Sequence, residues 1–137
     1  MVAAESAYSR DQLIALYELG RMYYEMGYFT PAERIFNGIA ILDEQAAPAR
    51  LALGLLKLER GLHAEAATHF RSVLQHDAYA FQAKLGLCLS FLRAGERSRA
   101  RSVLAEIVKS SGGVEATEPE VGTLFGALTE MFDAEEN

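Results

Sequence analysis

The stretch Leu53–Phe70, LGLLKLERGLHAEAATHF, carries five marks in a fixed order: Leu53, Gly54, Gly61, Ala66 and Phe70. Moving 34 residues back gives Leu19, Gly20, Gly27, Ala32 and Phe36, and moving 34 forward gives Leu87, Cys88, Gly95, Ala100 and Leu104. A sixth column, Ile39, Val73 and Ile107, keeps the same step. The chain is therefore a three-fold repetition of one unit, at about 13–46, 47–80 and 81–114. Such units bury their apolar faces by stacking on one another, and stacked units usually hold another chain rather than perform chemistry.

Each column has a physical reason. Gly20, Gly54 and Cys88 are small, as are Ala32, Ala66 and Ala100. The two sets are expected to face each other within a helical hairpin, where small side chains let the axes approach to about 8–10 Å. Gly27, Gly61 and Gly95 fall at the end of each first helix, where a residue free to take positive φ closes the helix and turns the chain. The Leu and Phe columns then fill the space between helices and between repeats.

Helix starts are also legible. Ser9 followed by Gln12 reads as a capping box, opening a first helix that runs to about Met26. Thr30-Pro31-Ala32-Glu33 reads as a second box, with Thr30 as cap and Glu33 as its return partner. Pro48 is expected to open the third helix and Asp77 or a neighbour to cap the fifth. Short connections make successive helices antiparallel neighbours.

After Ser110-Ser111-Gly112-Gly113, Thr117, Pro119 and Glu120 start a seventh helix over about 118–133. Its stripe of Val121, Leu124, Phe125, Leu128, Met131 and Phe132 suits a cap over the open end of repeat three. Gly122, Gly126 and the preceding glycine pair leave a second reading, a mobile lid over a binding surface. Residues 1–8 are expected to be flexible and 9–137 to form one domain.

Composition narrows the function. Half of the 137 residues are apolar, 23% are charged and the net charge is −6, which argues against a nucleic-acid partner. No apolar run is long enough for a signal peptide or a membrane span, and the lone Cys88 forms no internal disulfide; a cytoplasmic protein without membrane insertion is expected. His63, His69 and His76 are spaced by six and seven, which does not bring two ligands onto one metal. Cys88 shares the column of Gly20 and Gly54, so packing explains it better than nucleophilic chemistry. No glycine-rich phosphate loop follows a strand. Neither catalysis, nor a cofactor, nor a metal is expected.

The small/Gly/Ala/aromatic order of these columns resembles the tetratricopeptide repeat (TPR). The resemblance implies an all-α, right-handed superhelix of three helix hairpins plus a C-terminal capping helix. Two departures are visible: the early aromatic of the family is Leu16, Arg50 and Lys84 here, and the late proline is missing. In that family the first helix of each repeat lines a concave face. The register then implies a partner-binding groove of Tyr17, Arg21 and Tyr24, of Leu51, Leu55 and Leu58, and of Leu85, Leu89 and Leu92. Members that clamp a terminal carboxylate use Lys and Asn there, and only Arg21 could serve. An apolar groove suits an extended or helical protein segment with apolar anchors.

The run Ile35–Asp43, the run Leu51–Leu55 and the Gly61 turn, with Leu16–Tyr24 and Gly27-Tyr28 before them, resemble the TPR chaperones of bacterial type III secretion. That resemblance implies a chaperone holding an aggregation-prone secreted or apparatus subunit in the groove. The alternative is a constitutive scaffold or adaptor joining folded partners. Repeat one begins near Leu13, without the long N-terminal arm that translocator-class chaperones use in dimerisation, so a needle-subunit or export-apparatus substrate fits as well. Whether the chain forms a homodimer or a heterodimer stays open at this point. Ala66→Leu is expected to overpack its hairpin and lower stability by about 1–3 kcal/mol, read as a reduced urea midpoint.

Overall fold

The computed structural model describes residues 8–43 and 45–111. The expected flexible N-terminus, apart from Tyr8, and the seventh helix with its cap or lid role lie outside the described residues. Six α-helices follow in chain order: α1 (Arg10–Glu25), α2 (Phe29–Leu42), α3 (Ala47–Glu59), α4 (His63–Val73), α5 (Ala80–Arg93) and α6 (Arg97–Ser111). A 3₁₀ turn, Asp77–Tyr79, leads into α5. The helices pair as three hairpins, α1 with α2, α3 with α4 and α5 with α6, and each hairpin stacks on the next through α2–α3 and α4–α5.

The turns within hairpins are built alike. Gly27, Gly61 and Gly95 have φ of 85°, 76° and 82°, and among the described residues no other residue type takes positive φ. The amide after each glycine donates back five residues, Tyr28 to Tyr23 (2.8 Å), Leu62 to Lys57 (2.9 Å) and Glu96 to Phe91 (2.8 Å). Each glycine amide also donates three residues back, to Tyr24, Leu58 and Leu92. This double pattern satisfies carbonyls that the helix end would leave without a partner.

Burial follows the columns. Ala32, Ala66 and Ala100 are each 0% exposed, and Phe36, Phe70, Leu104, Ile39, Val73 and Ile107 are all buried. Gly20 and Gly54, the small positions of the first two hairpins, meet aromatic rings. A Cβ on Gly20 would stand 2.8 Å from Cε1 of Phe36, and one on Gly54 would stand 2.6 Å from Cε1 of Phe70. Gly86, outside the aligned columns, approaches Phe70 from the next repeat: its Cβ would lie 2.5 Å from the same atom. Phe70 is thus pinched between two first helices at two glycines. Cys88 does meet its alanine partner, with its thiol donating to the Ala100 carbonyl at 3.5 Å.

Three expectations need correction. Leu19 is 41% exposed whereas Leu53 and Leu87 are buried, because α1 has no repeat in front of it among the described residues. Met22 and Leu56 differ in the same way. The Ser9–Gln12 capping box is present in full, but Thr30 caps nothing. The Gly27 turn delivers the chain into helix at Phe29, two residues before the start that a Thr30 cap requires, and Thr30 and Glu33 turn to the next repeat. There Lys57 Nζ lies 3.0 Å from Glu33 Oε1 and 3.2 Å from Glu65, and Arg60 bonds Glu33 Oε2 (3.1 Å) and Thr30 Oγ1 (3.2 Å). The hydrogen bond that the Lys57 ammonium donates to Glu33 holds its pKa above the ordinary value. Finally, Pro48 does lie in the first turn of α3, but the N-cap of α5 is Tyr79, with no side-chain cap bond.

Two glycine substitutions separate close approach from simple helix propensity. Gly86→Ala is expected to cost about 1–3 kcal/mol, because the Phe70 ring must move. Gly38→Ala, inside α2 with open space around the added carbon, is expected to gain about 0.5–1 kcal/mol. Urea midpoints of the two variants, shifted in opposite directions, check both.

Candidate functional site

The three first helices lie side by side, α1 against α3 and α3 against α5. Their shared face encloses a groove of ≈ 430 Å³. Seven of the nine expected residues line it: Tyr17, Arg21 and Tyr24 from α1, Leu51 and Leu55 from α3, and Leu85 and Leu89 from α5. Leu85 is buried in the floor, while Leu51 and Leu89 are half-buried against the core of repeats two and three. Leu55 projects into the groove and is 41% exposed.

The aromatic end is fixed by ring contacts, Tyr17 on Phe36 at 5.6 Å between centroids and Tyr24 on Phe29 at 5.5 Å. Burial pushes the Tyr24 phenol above its ordinary pKa, with Glu59 adding to the effect and Arg93 opposing it. Tyr24 is therefore a neutral hydroxyl that can donate to, or accept from, a polypeptide backbone. Arg21 lies 3.8 Å from Glu18 and 3.7 Å from Glu25, with all three side chains more than half exposed. Such exposed pairs contribute little, so Arg21 is a rim group rather than an anchor.

The other two expected residues sit elsewhere. Leu58 is 4% exposed and packs in the core with Ala66, Ala67 and Leu85. Its carbonyl accepts from Gly61 N–H (3.0 Å) and from Arg93 Nη1 (3.3 Å), so the hairpin turn and the next repeat cover it. Leu92 holds the same place one repeat on, half-buried against the same core, with its carbonyl accepting from Gly95. In exchange the groove takes Pro48 and Ala52 from α3, and Gln82 and Gly86 from α5. Positions 48, 51, 52 and 55, and again 82, 85, 86 and 89, follow the i, i+3, i+4, i+7 stripe of one helix face. That spacing was the available signal. Phe36 and Phe70 also reach the groove, Phe70 beside Gly86, where an added Cβ would not fit.

His63, His69, His76 and Cys88 do not line the groove. Among the described residues no group of three or more His, Cys, Asp or Glu is placed to hold a metal. His69 is half-buried, and burial, followed by Lys57 and Arg50, lowers its pKa. Burial pushes the Cys88 thiol up to about 11.

No protein-family model matches this chain, and no curated protein matches it in sequence. Solved structures do match. PcrH from Pseudomonas aeruginosa superposes with a TM-score of 0.80 at 23% identity, over 99% of this chain and 100% of that one. PcrH in complex with the chaperone binding region of PopD gives 0.80 at 23% identity, over 97% and 99% of the two chains. The Yersinia enterocolitica type III secretion chaperone SycD, in complex with a peptide of the translocator YopD, gives 0.72 at 22% identity, over 92% and 98%. The chain thus has the TPR-like, all-α fold of the type III secretion translocator chaperones, over nearly the whole length of both.

A thiol with so high a pKa and no exposure is a poor nucleophile. Alkylation of Cys88 by iodoacetamide at pH 8 is expected to be at least tenfold slower in the folded protein than in urea. Rapid labelling of the native state would contradict the packing role.

Proposed function

We propose that this chain is a chaperone of a type III secretion system, working in the cytoplasm. It holds an extended segment of a hydrophobic, translocator-class subunit in the groove of α1, α3 and α5, without nucleotide or metal. The observation that carries this reading is the groove itself: an apolar channel with Leu55 exposed at its centre, a tyrosine wall at one end and a neutral phenol facing inward. The same fold has been solved with the chaperone binding region of PopD on PcrH and with a YopD peptide on SycD.

The physical case is direct. An exposed leucine and tyrosine strip is an association hazard when empty, and an apolar ligand side chain relieves it. Burying three leucine-sized anchors contributes about 1.5–3 kcal/mol each, against the cost of ordering the ligand. The absence of Lys and Asn from the groove columns favours anchoring through side chains over capture of a terminal carboxylate. No helix among the described residues is long and apolar enough to cross a membrane. Non-enzymatic work is the reading that the neighbours' role as chaperones supports.

Co-expression with a candidate hydrophobic secreted subunit tests the proposal. The wild-type chain is expected to keep that subunit soluble. Leu55→Glu is expected to weaken a binding peptide from it by about 10- to 100-fold, the equivalent of one lost anchor, with helicity unchanged. Leu89→Glu is expected to act in the same direction, with some loss of stability because Leu89 also touches the core. Unaltered affinity in the Leu55 variant, together with a subunit that is soluble and folded alone, would favour an adaptor that works through another face.

A further inference from the structure

The two junctions between repeats carry opposite charge arrangements at the same register. Where repeat one meets repeat two, Lys57 on α3 lies between two acids, Glu33 on α2 and Glu65 on α4, and Arg60 takes the second oxygen of Glu33. Moving 34 residues on, Glu33 becomes Ala67, Lys57 becomes Phe91, Arg60 becomes Ala94, Glu65 becomes Arg99 and Asn37 becomes Arg71. At these positions the cations of the first helix are gone, and on the flanking second helices the acids have turned neutral or basic.

The result is a cleft of ≈ 360 Å³ among α4, α5 and the start of α6, floored by Phe91. The guanidinium carbons of Arg99 and Arg71 stand 4.5 Å and 5.8 Å from the centre of that ring. Cation–π contact holds the arginines in place without neutralising them. Glu96, 3.3 Å from Arg99, is the one carboxylate among the described lining residues, so one acid stands against two guanidinium groups. His63 also lines the cleft, with its Nδ1 buried and without a hydrogen-bond partner among the described residues. At the first junction the central charge is supplied by Lys57; at the second, the fitting central group is an anion.

Residues 112–137 contain seven Asp and Glu and no Lys or Arg, and all thirteen basic residues of the chain precede them. The stretch therefore carries more negative charge than the whole protein's −6. It follows Ser111, the last described residue and the end of α6, and Arg99 lies twelve residues back along that helix, about 18 Å. Asp133, Glu135 and Glu136 follow Ser111 by more than twenty residues, enough chain to return that distance whether coiled or extended.

We propose that the cleft seats carboxylates of the chain's own C-terminal stretch, Asp133, Glu135 and Glu136, between Arg71 and Arg99. Arginine forks are suited to carboxylate oxygens, and the pairing places the tail on the outer surface, away from the groove. The seat is electrostatic and partly exposed, so it weakens as salt screens it.

The test uses the full chain. A nitroxide attached at Ala134→Cys, selective because Cys88 is buried, is expected to broaden the nuclear magnetic resonances of Arg71, Phe91 and Arg99 and to spare those of Leu55 and Leu89. Arg71→Glu combined with Arg99→Glu, or about 1 M salt, is expected to restore the lost intensity. Asp133→Asn, Glu135→Gln and Glu136→Gln together, changes confined to the tail, are expected to restore it as well and keep the test independent of any folding defect in the arginine variant. Sharp cleft resonances in the labelled wild-type chain would overturn the proposal. So would broadening at Leu55 and Leu89, broadening that survives both charge changes, or broadening passed to an unlabelled second copy in a mixed sample.

Discussion

Phe70 is the residue on which the rest of the structure turns. Its ring leaves α4 and enters a slot walled on one side by Gly54 of its own hairpin and on the other by Gly86 of the next, with no room for a single added carbon at either. This contact sets how closely α3 approaches α4 and, at the same time, how closely α5 approaches both. A steric constraint of that kind is unforgiving, because the interior is close-packed and each displaced ring must displace others. Phe36 repeats half of the arrangement one unit earlier, with its ring against Gly20.

The groove is a consequence of the same constraint. Because Ala52 and Gly86 are small, the inner faces of α3 and α5 sink toward the aromatic layer, and Phe36 and Phe70 become part of the groove floor. The leucines at 51, 55, 85 and 89 then stand along the walls. Scaffold and site are thus one set of residues seen from two sides. The outer surface obeys different rules: packing there is slack enough for charge to be rearranged. Lys57 with Glu33 and Glu65 closes one junction, and Arg71, Arg99 and Phe91 leave the other open and basic.

Much of this was legible in the sequence, for identifiable reasons. Gly27, Gly61 and Gly95 could be placed because positive φ is a local demand that few residues meet, and Ala32, Ala66 and Ala100 because close approach excludes larger side chains at every copy. The groove columns at 17, 51 and 85 and at 21, 55 and 89 followed from the register together with the TPR resemblance. The errors arose where a tertiary partner outweighed a local rule. Thr30 and Glu33 have the spacing of a capping box, yet their side chains serve Arg60 and Lys57 across the junction. Leu58 has the register of a groove residue, but the turn and Arg93 cover it. Gly86 escaped notice because its column reads Glu18, Ala52 and Gly86, and only the aromatic it meets reveals the need for a small residue. Leu19 lies at an end, where periodicity promises a neighbour that the described residues do not supply.

The central claim is that an apolar segment of a secreted subunit occupies the inner groove. Methyl-selective nuclear magnetic resonance of the leucines, titrated with overlapping peptides of a candidate hydrophobic secreted subunit, is the direct measurement. The account predicts saturable shifts of the Leu51, Leu55, Leu85 and Leu89 methyls with one apolar peptide, while Leu104, buried in the last hairpin, stays in place. Shifts confined to methyls outside the groove, or no saturable shift with any peptide of a subunit that the chain keeps soluble, would contradict it.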